Sequence, residues 1–423
     1  MPADPASSLA ALRTRLLSGT DQCVKCGLCL PHCPTYALQG EEGASPRGRL
    51  ALIQGLAQGR LDAGPGVAAH LDGCLSCRAC EPVCPAQVRY GEMLDGGRQW
   101  LALQQPRRLG ALRWFSPLLT ARAGRALLRT LLALYHRSGL QTLVRRSRVL
   151  GHTRLARLEA LLPARRAVAP VAADPGAGPA VAQLHIGCLG QVLDQAAVAD
   201  LQAVFAAAGQ PLAVPAGQGC CGALHQHAGD AAQARRLARI QRAVFDPALP
   251  VLALASGCGA GLQDGWRALG EPAPAVHDPF DWLAPRAGAL AFAPTPLTVW
   301  VHRPCTQRHV LRSRGEGLLG LLGRVPGLRV RELPDRGCCG AAGLHMVQRP
   351  AAADALLAPL LDALEAAGPE DVVLSGNIGC ALHLGGGLRR LRTAARPPPP
   401  VLHPARFLRR CLPAASPAAR SPV

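Results

Sequence analysis

The stretches CVKCGLCLPHCP, residues 23–34, and CLSCRACEPVCP, residues 74–85, decide how this chain is read. Both follow the spacing C-x2-C-x2-C-x3-C with a proline directly after: Cys23, Cys26, Cys29, Cys33 and Pro34, then Cys74, Cys77, Cys80, Cys84 and Pro85. A [4Fe–4S] cube needs four thiolates converging on one small volume. Three closely spaced cysteines can cap three irons, and a fourth closes the site. The proline is expected to keep each loop from running on as helix. One such run is compatible with zinc, but two of them point to iron.

The runs resemble those of bacterial two-cluster ferredoxins, in which the fourth cysteine of each run serves the other cluster. That resemblance implies one [4Fe–4S] cluster on Cys23, Cys26, Cys29 and Cys84, and a second on Cys74, Cys77, Cys80 and Cys33. Between the runs, Ser45-Pro46-Arg47-Gly48-Arg49 opens a helical segment around Leu50 to Leu61. It reads either as a helix cap with proline in the first turn, or as a place where Arg47 or Arg49 tunes a cluster by its charge.

With 423 residues the chain has room for two or three domains. Seventeen cysteines in a chain of this length do not suit a disulfide scaffold. Met1 to Thr20 lacks a charged segment leading into an apolar one, and cytoplasm is the expected compartment. No clean apolar run of about 20 residues predicts a membrane span. The net charge is +19, and Lys25 is the sole lysine. Residues 107–166 hold fourteen arginines and a single acid, Glu159.

In residues 101–166, Leu112, Phe115, Leu119, Leu127, Leu131 and Leu134 recur at helical spacing, with Pro117 and Gly139 expected to break the segment. A linker of packed helices with a solvated basic face is one reading. The other is a dock for an acidic partner, or for anionic headgroups on the inner face of the cytoplasmic membrane. Nucleic acid is not an expected partner, because few aromatics interleave the charges and no nucleic-acid motif is present. Residues 167–180, AVAPVAADPGAGPA, read as a linker.

Beyond the linker the chain repeats itself. Cys188, Cys220-Cys221-Gly222 and Cys258 return about 120 residues later as Cys305, Cys338-Cys339-Gly340 and Cys380. Val276-His277-Asp278-Pro279 is echoed by Leu402-His403-Pro404. The isolated cysteines follow short apolar runs at Ala182 to Ile186, Val251 to Ala255, Leu297 to Val301 and Val372 to Leu374. Alanine- and leucine-rich segments such as Leu193 to Ala208 and Ala352 to Ala366 lie between them. This β-α-β-α alternation predicts a mostly parallel sheet in each repeat, with the cysteines gathered beyond the carboxyl ends of the strands.

The expected fold class is therefore α+β and multidomain. A helical ferredoxin-type domain spans 1–100, a basic helical linker 101–166, and two α/β Cys-Cys-Gly domains 181–285 and 297–410. Cys188, Cys220, Cys221, Cys258, Cys305, Cys338, Cys339 and Cys380 are candidate ligands for a further iron–sulfur cluster or for zinc, since adjacent thiolates beside a glycine suit close metal approach. His185, His225, His302 and His383 lie near these cysteines and read as surface or packed residues. Cys411 stands outside both patterns and reads as structural.

With these anchors the chain resembles the iron–sulfur subunit of bacterial glycolate oxidase (glycolate dehydrogenase) over nearly its whole length. The more specific markers are SPRGR at 45–49, CLSCRACEPVCPAQVRYGEMLDGGR at 74–98 and SGNIGCALHL at 375–384. The resemblance implies a subunit that takes electrons from flavin-containing partners oxidising glycolate to glyoxylate, and passes them towards a membrane quinone. The chain shows no flavin or nicotinamide fingerprint. No catalytic residue is assigned, and the chain is not expected to act alone. The Cys-Cys-Gly domains are also similar to those of heterodisulfide reductases, which use an additional C-x-x-C pair; here each repeat has four cysteines, and Cys258 runs into Gly259-Ala260-Gly261. The alternatives are a heterodisulfide-reductase-like catalyst, an iron–sulfur subunit of anaerobic glycerol-3-phosphate dehydrogenase, and a non-enzymatic redox sensor or scaffold.

Overall fold

Five helices carry the two cysteine loops: α1 (Leu9–Asp21), α2 (Pro34–Gln39), α3 (Pro46–Gln58), α4 (Pro65–Asp72) and α5 (Tyr90–Gln104). The computed structural model describes residues 9–413 apart from 148, 152, 164–177, 336 and 392–396, so most of the 167–180 linker lies outside the described residues. Leu50, Ile53 and Leu56 recur on one face of α3 and are buried against Leu12 and Leu16 of α1 and Leu94 and Leu101 of α5. A Cβ on Gly97 would stand 2.7 Å from the Ile53 side chain, so the close approach of α5 to α3 requires glycine there. Ser45 caps α3 as expected, its hydroxyl accepting the Gly48 amide at 3.0 Å. Pro34 differs from expectation: it opens α2 rather than barring a helix, because the amide it lacks has no partner in a first turn.

The basic segment forms α6 (Gly110–Thr120), α7 (Arg122–Arg137), α8 (Leu140–Ser147) and α9 (Arg154–Leu161). Gly139, at φ +74°, separates α7 from α8. Pro117 does not break the segment where expected. It lies inside α6, three residues from its end, and the turn falls after Thr120. The inner face of α7 buries Arg125. Its outer face leaves Leu127, Leu131 and Leu134 exposed beside Arg122, Arg129 and Arg137.

The first repeat comprises β1 (Ala182–His185), α10 (Gly187–Leu193), α11 (Gln195–Ala207), β2 (Leu212–Ala213), α12 (Ala223–Ala228), α13 (Ala231–Val244), β3 (Val251–Ala253), α14 (Ser256–Leu269), β4 (Val276–His277) and α15 (Pro279–Leu283). The second comprises β5 (Thr298–His302), α16 (Cys305–His309), α17 (Glu316–Gly323), β6 (Arg329–Glu332), α18 (His345–Gln348), α19 (Pro350–Ala363), β7 (Val372–Ser375), α20 (Ile378–Leu391), β8 (Val401–Leu402) and α21 (Pro404–Cys411). Both sheets are wholly parallel and share one order, β2-β1-β3-β4 and β6-β5-β7-β8. The central strands β1, β3, β5 and β7 are buried throughout, which is why they read as continuous apolar runs.

The repeats exchange their closing helices. Helix α15 of the first packs on α17 of the second, where Asp281 accepts the Gly317 amide at 2.9 Å. Helix α21 of the second packs on α11 of the first, and His403 Nε2 meets the Leu254 carbonyl at 2.9 Å. One continuous core results, joining Leu184, Phe205 and Phe280 to Val299, Leu374 and Phe407.

Candidate metal centres

Two cavities meet around Pro46, Cys80 and Tyr90. The first, about 450 Å³, is lined by Cys23, Cys26, Cys29 and Cys84. The second, about 280 Å³, is lined by Cys33, Cys74, Cys77 and Cys80. The loops reach this shape through backbone curvature at matched positions. Lys25 and Gly27 in one, and Ser76 and Arg78 in the other, have φ between +50° and +85°. Left-handed residues in such loops turn successive amides towards one centre, a concavity that suits an anion. Three of the four are not glycine, and such conformations persist only where the surroundings enforce them.

The charges around the second cavity are unusual. Arg49 is 1% exposed and donates from Nε to the His70 carbonyl at 2.8 Å and from Nη1 to Thr35 Oγ1 at 3.0 Å. Among the described residues it has no carboxylate partner; beside it stand the sulfurs of Cys74 and Cys33 and the Tyr90 phenol, which burial keeps protonated. Arg98, also buried, donates to the carbonyls of Leu71 and Cys74 and to Ser76 Oγ, pinning the same loop. Tyr90 donates its hydroxyl to Cys74 Sγ at 3.4 Å. Burial pushes the Cys77 and Cys80 thiols well up, so these groups stay protonated until a metal displaces the protons. A buried cation without a carboxylate is costly unless an anion faces it. Four converging cysteines, inward amides and that cation fit a thiolate-ligated [4Fe–4S] cluster. At the first cavity Arg47 is instead tied to Glu42 at 2.7 Å and is partly exposed.

Each repeat also assembles its four cysteines. All four are free thiols: Cys188 and Cys221 hydrogen-bond to the Cys220 sulfur, and Cys221 hydrogen-bonds with Cys258. Cys220 is held well below the ordinary thiol range because the thiols of Cys188 and Cys221, and then the Gly222 amide, donate to it. In the second repeat the Cys305 thiol donates to the Cys338 sulfur at 3.9 Å, and the free thiols of Cys338 and Cys339, and of Cys339 and Cys380, are hydrogen-bonded. The glycine of each Cys-Cys-Gly has φ near +86° and donates its amide to the first cysteine at 3.4 Å. A Cβ on Gly340 would stand 2.6 Å from the Ala353 carbonyl, so no other residue fits there.

The histidines divide into two pairs. His225 bonds Asp230 at 3.1 Å while its ring still stands near Cys220, and His383 bonds the Ala353 carbonyl at 3.2 Å. His302 and His185, at the ends of β5 and β1, stand among the cysteines. A donor atom of His302 lies within 4.8 Å of those of Cys339 and Cys380. A Cβ on Gly187 would fall 2.8 Å from Cys258 Sγ and 3.6 Å from the His185 ring. Burial lowers both imidazoles to about 4, so each is neutral at pH 7.

The cysteine-rich half touches the loops directly. Cys77 shares a buried cluster with Cys305, Cys338 and Leu356. Arg125 from α7 stands over the first repeat's site, beside Cys188 and Cys220, with Nε on Gln191 Oε1 at 2.8 Å. Neither contact is visible in the sequence: the composition of 101–166 marks it as basic, but nothing singles out Arg125 from its neighbours.

The fold and these sites define an iron–sulfur electron-transfer protein, a helical dicluster unit joined to two cysteine-rich α/β repeats. A family model described as a 4Fe-4S dicluster domain matches residues 19–88, and one described as a cysteine-rich domain matches residues 182–263 and 299–385. The chain belongs to the family of glycolate oxidase iron–sulfur subunits. It is 32% identical to the "Probable glycolate oxidase iron-sulfur subunit" of Bacillus subtilis (strain 168), over 87% of this chain and 89% of the relative. It is equally 32% identical to the glycolate oxidase iron-sulfur subunit of Escherichia coli (strain K12), over 86% and 89%. One subunit of the fumarate reductase (CoM/CoB) of Methanothermobacter marburgensis is 30% identical over only 34% of this chain and 29% of its own length. The comparisons favour the glycolate oxidase family over the heterodisulfide-reductase-like, glycerol-3-phosphate and scaffold alternatives.

Proposed function

We propose that this chain carries electrons within a flavin-linked complex that oxidises glycolate to glyoxylate, receiving them from flavin-containing subunits and delivering them towards a quinone. The adjoining pair of four-cysteine cavities is the observation that carries this reading. When bound, the clusters supply one-electron carriage at that place. In this reading Cys23, Cys26, Cys29 and Cys84 hold one [4Fe–4S] cluster, and Cys33, Cys74, Cys77 and Cys80 the other; the two cavities, which share only Cys80 among their cysteines, support this division. The protein's own residues bend the loops, neutralise charge through Arg49, and keep the second cavity apolar. The chain has no substrate chemistry of its own and is inactive alone. The Cys-Cys-Gly thiols of both repeats hold a further metal centre.

Its location is the cytoplasm, peripheral to the membrane. No described helix is long and apolar enough to cross a bilayer. The exposed leucines and arginines of α7 suit attachment to an anionic surface. Deleting the gene and measuring glycolate-dependent dye reduction in membranes and extracts tests the reading; full activity in both would overturn it. Anaerobic purification with iron and sulfide counting tests the cofactors, with about eight irons expected for the two cubes. C84S is expected to disturb the same electron paramagnetic resonance signal as C26S, and C33S the same signal as C77S.

A further inference from the structure

We infer that His302 is a metal ligand, completing with Cys339 and Cys380 a mixed imidazole–thiolate site for zinc in the second repeat. The inference rests on the reading that the Cys-Cys-Gly thiols bind metal, and it goes further by naming a ligand that no cysteine pattern contains.

The three donor atoms already lie within 4.8 Å of one another, and all three residues are buried. Zinc bonds sulfur at about 2.3 Å and imidazole at about 2.0 Å, so tetrahedral donors stand roughly 3.5–3.8 Å apart. Closing the observed triangle takes a side-chain adjustment of about an ångström. Two thiolates and one neutral imidazole form the borderline-soft set that suits zinc over calcium or magnesium.

Each donor is oriented by a neighbour. His302 Nδ1 lies 3.1 Å from Ser375 Oγ, which leaves Nε2 as the nitrogen free for an ion. Asn377 donates its side-chain amide to Cys380 Sγ at 3.2 Å. A cavity of about 310 Å³, lined by His302, Cys338, Cys339 and Arg308 among others, leaves room for a fourth ligand, water or the Cys338 thiol.

The first repeat supplies an independent observation. His185 precedes Cys188 by the interval that separates His302 from Cys305. It is fully buried, and neither ring nitrogen has a well-formed hydrogen-bond partner, the backbone of Gly219 offering only a weak one. A buried ring kept at the same place in both copies, with at most the Gly219 backbone as a partner in one of them, is poorly explained as packing. Among the described residues only the second repeat brings three donors into reach of one ion, so the inference is confined to it.

The test uses the full-length protein, purified anaerobically from zinc-supplied cells. Zinc and iron are counted by mass spectrometry, and the zinc X-ray absorption edge reports the first shell. About one zinc per chain with a nitrogen–sulfur shell is expected. H302A is expected to lose zinc to a chelator at least tenfold faster, with the iron count and the cube signals unchanged. H302C is expected to keep zinc in an all-sulfur shell. If H302A fails to fold, S375A serves instead, with zinc affinity expected to fall about 10–100-fold through the lost orienting bond. Wild-type protein without zinc, an all-sulfur shell in the wild type, or an H302A shell identical to wild type would each overturn the inference. Failure of the electron-transfer reading would appear elsewhere, as missing cube iron with zinc retained.

Discussion

Arg78 reaches out of the second cysteine loop and clamps Asp264 of α14, its two terminal nitrogens 3.0 and 2.9 Å from the two carboxylate oxygens, with both side chains almost wholly buried. This pair ties the cluster loop to the first repeat. D264N removes the nearest carboxylate from buried Arg78 and leaves Glu81 at 3.7 Å as a weaker partner, so it is expected to cost up to about 3 kcal/mol. Thermal unfolding of the anaerobic protein measures it, and R78L/D264L should recover part of the loss. An unchanged midpoint in D264N would show that the loop is anchored by other contacts.

Arg49 has cysteine sulfurs and a neutral phenol, not a carboxylate, around it. A buried positive charge favours the reduced state of a neighbouring cluster. R49Q should therefore lower the reduction potential of the cluster served by Cys33, Cys74, Cys77 and Cys80, while R49K preserves it. A potentiometric titration followed by electron paramagnetic resonance resolves the two waves. Equal movement of both, or of neither, would remove Arg49 from any tuning role.

The outer stripe of α7 exposes Leu127, Leu131 and Leu134 at 50, 54 and 64%. Partial burial of three leucines at a bilayer surface contributes about 3 kcal/mol, roughly a hundredfold in affinity. The triple glutamine variant should fold normally, yet bind phosphatidylglycerol vesicles far more weakly in a flotation assay. Retained vesicle binding would move the attachment elsewhere. Undiminished binding to the flavin-containing subunits together with lost vesicle binding would separate the two partners.

Asp278 caps α15 by accepting the amides of Phe280 and Asp281, and it also accepts the Gln307 side-chain amide at 3.0 Å. Burial, and then the neighbouring Asp281, raise its carboxyl from 3.8 to about 6. The folded protein thus holds a proton here between about pH 4 and pH 6 that the unfolded chain has released. Its stabilising share is complete below pH 4 and lost as the pH rises through about 6, up to about 3 kcal/mol. D278N should flatten that part of the stability profile, as read by denaturant unfolding at stepped pH. Parallel profiles for the two proteins would contradict the shift.

Local spacing makes the cysteine loops legible, because each run of four cysteines lies within a dozen residues. The central strands are legible because burial on both faces leaves continuous apolar runs. Other features depend on distant contacts. His225 and His302 look alike in sequence, each a few residues from a cysteine; only the strand end at β5 brings one within reach of two thiols at once, while the other is bonded to Asp230. The echo of Val276-His277-Asp278-Pro279 in Leu402-His403-Pro404 marks two equivalent helix starts. It does not say that each helix will close the other repeat. Pro34 departs from expectation because the amide that proline lacks has no partner in a first turn, whereas Pro117 lies past the first turn of α6 and the helix runs on only three residues beyond it.

The exchange of α15 and α21 has a consequence for the making of the protein. Helix α11 is covered only when α21, some two hundred residues downstream, has left the ribosome. At about 5–20 residues per second, the first repeat waits about 10–45 s for its last wall. During that interval its apolar flank is bare. Cells that make this chain therefore need a holding factor, or slow metal delivery, timed to the end of translation rather than to the completion of each repeat.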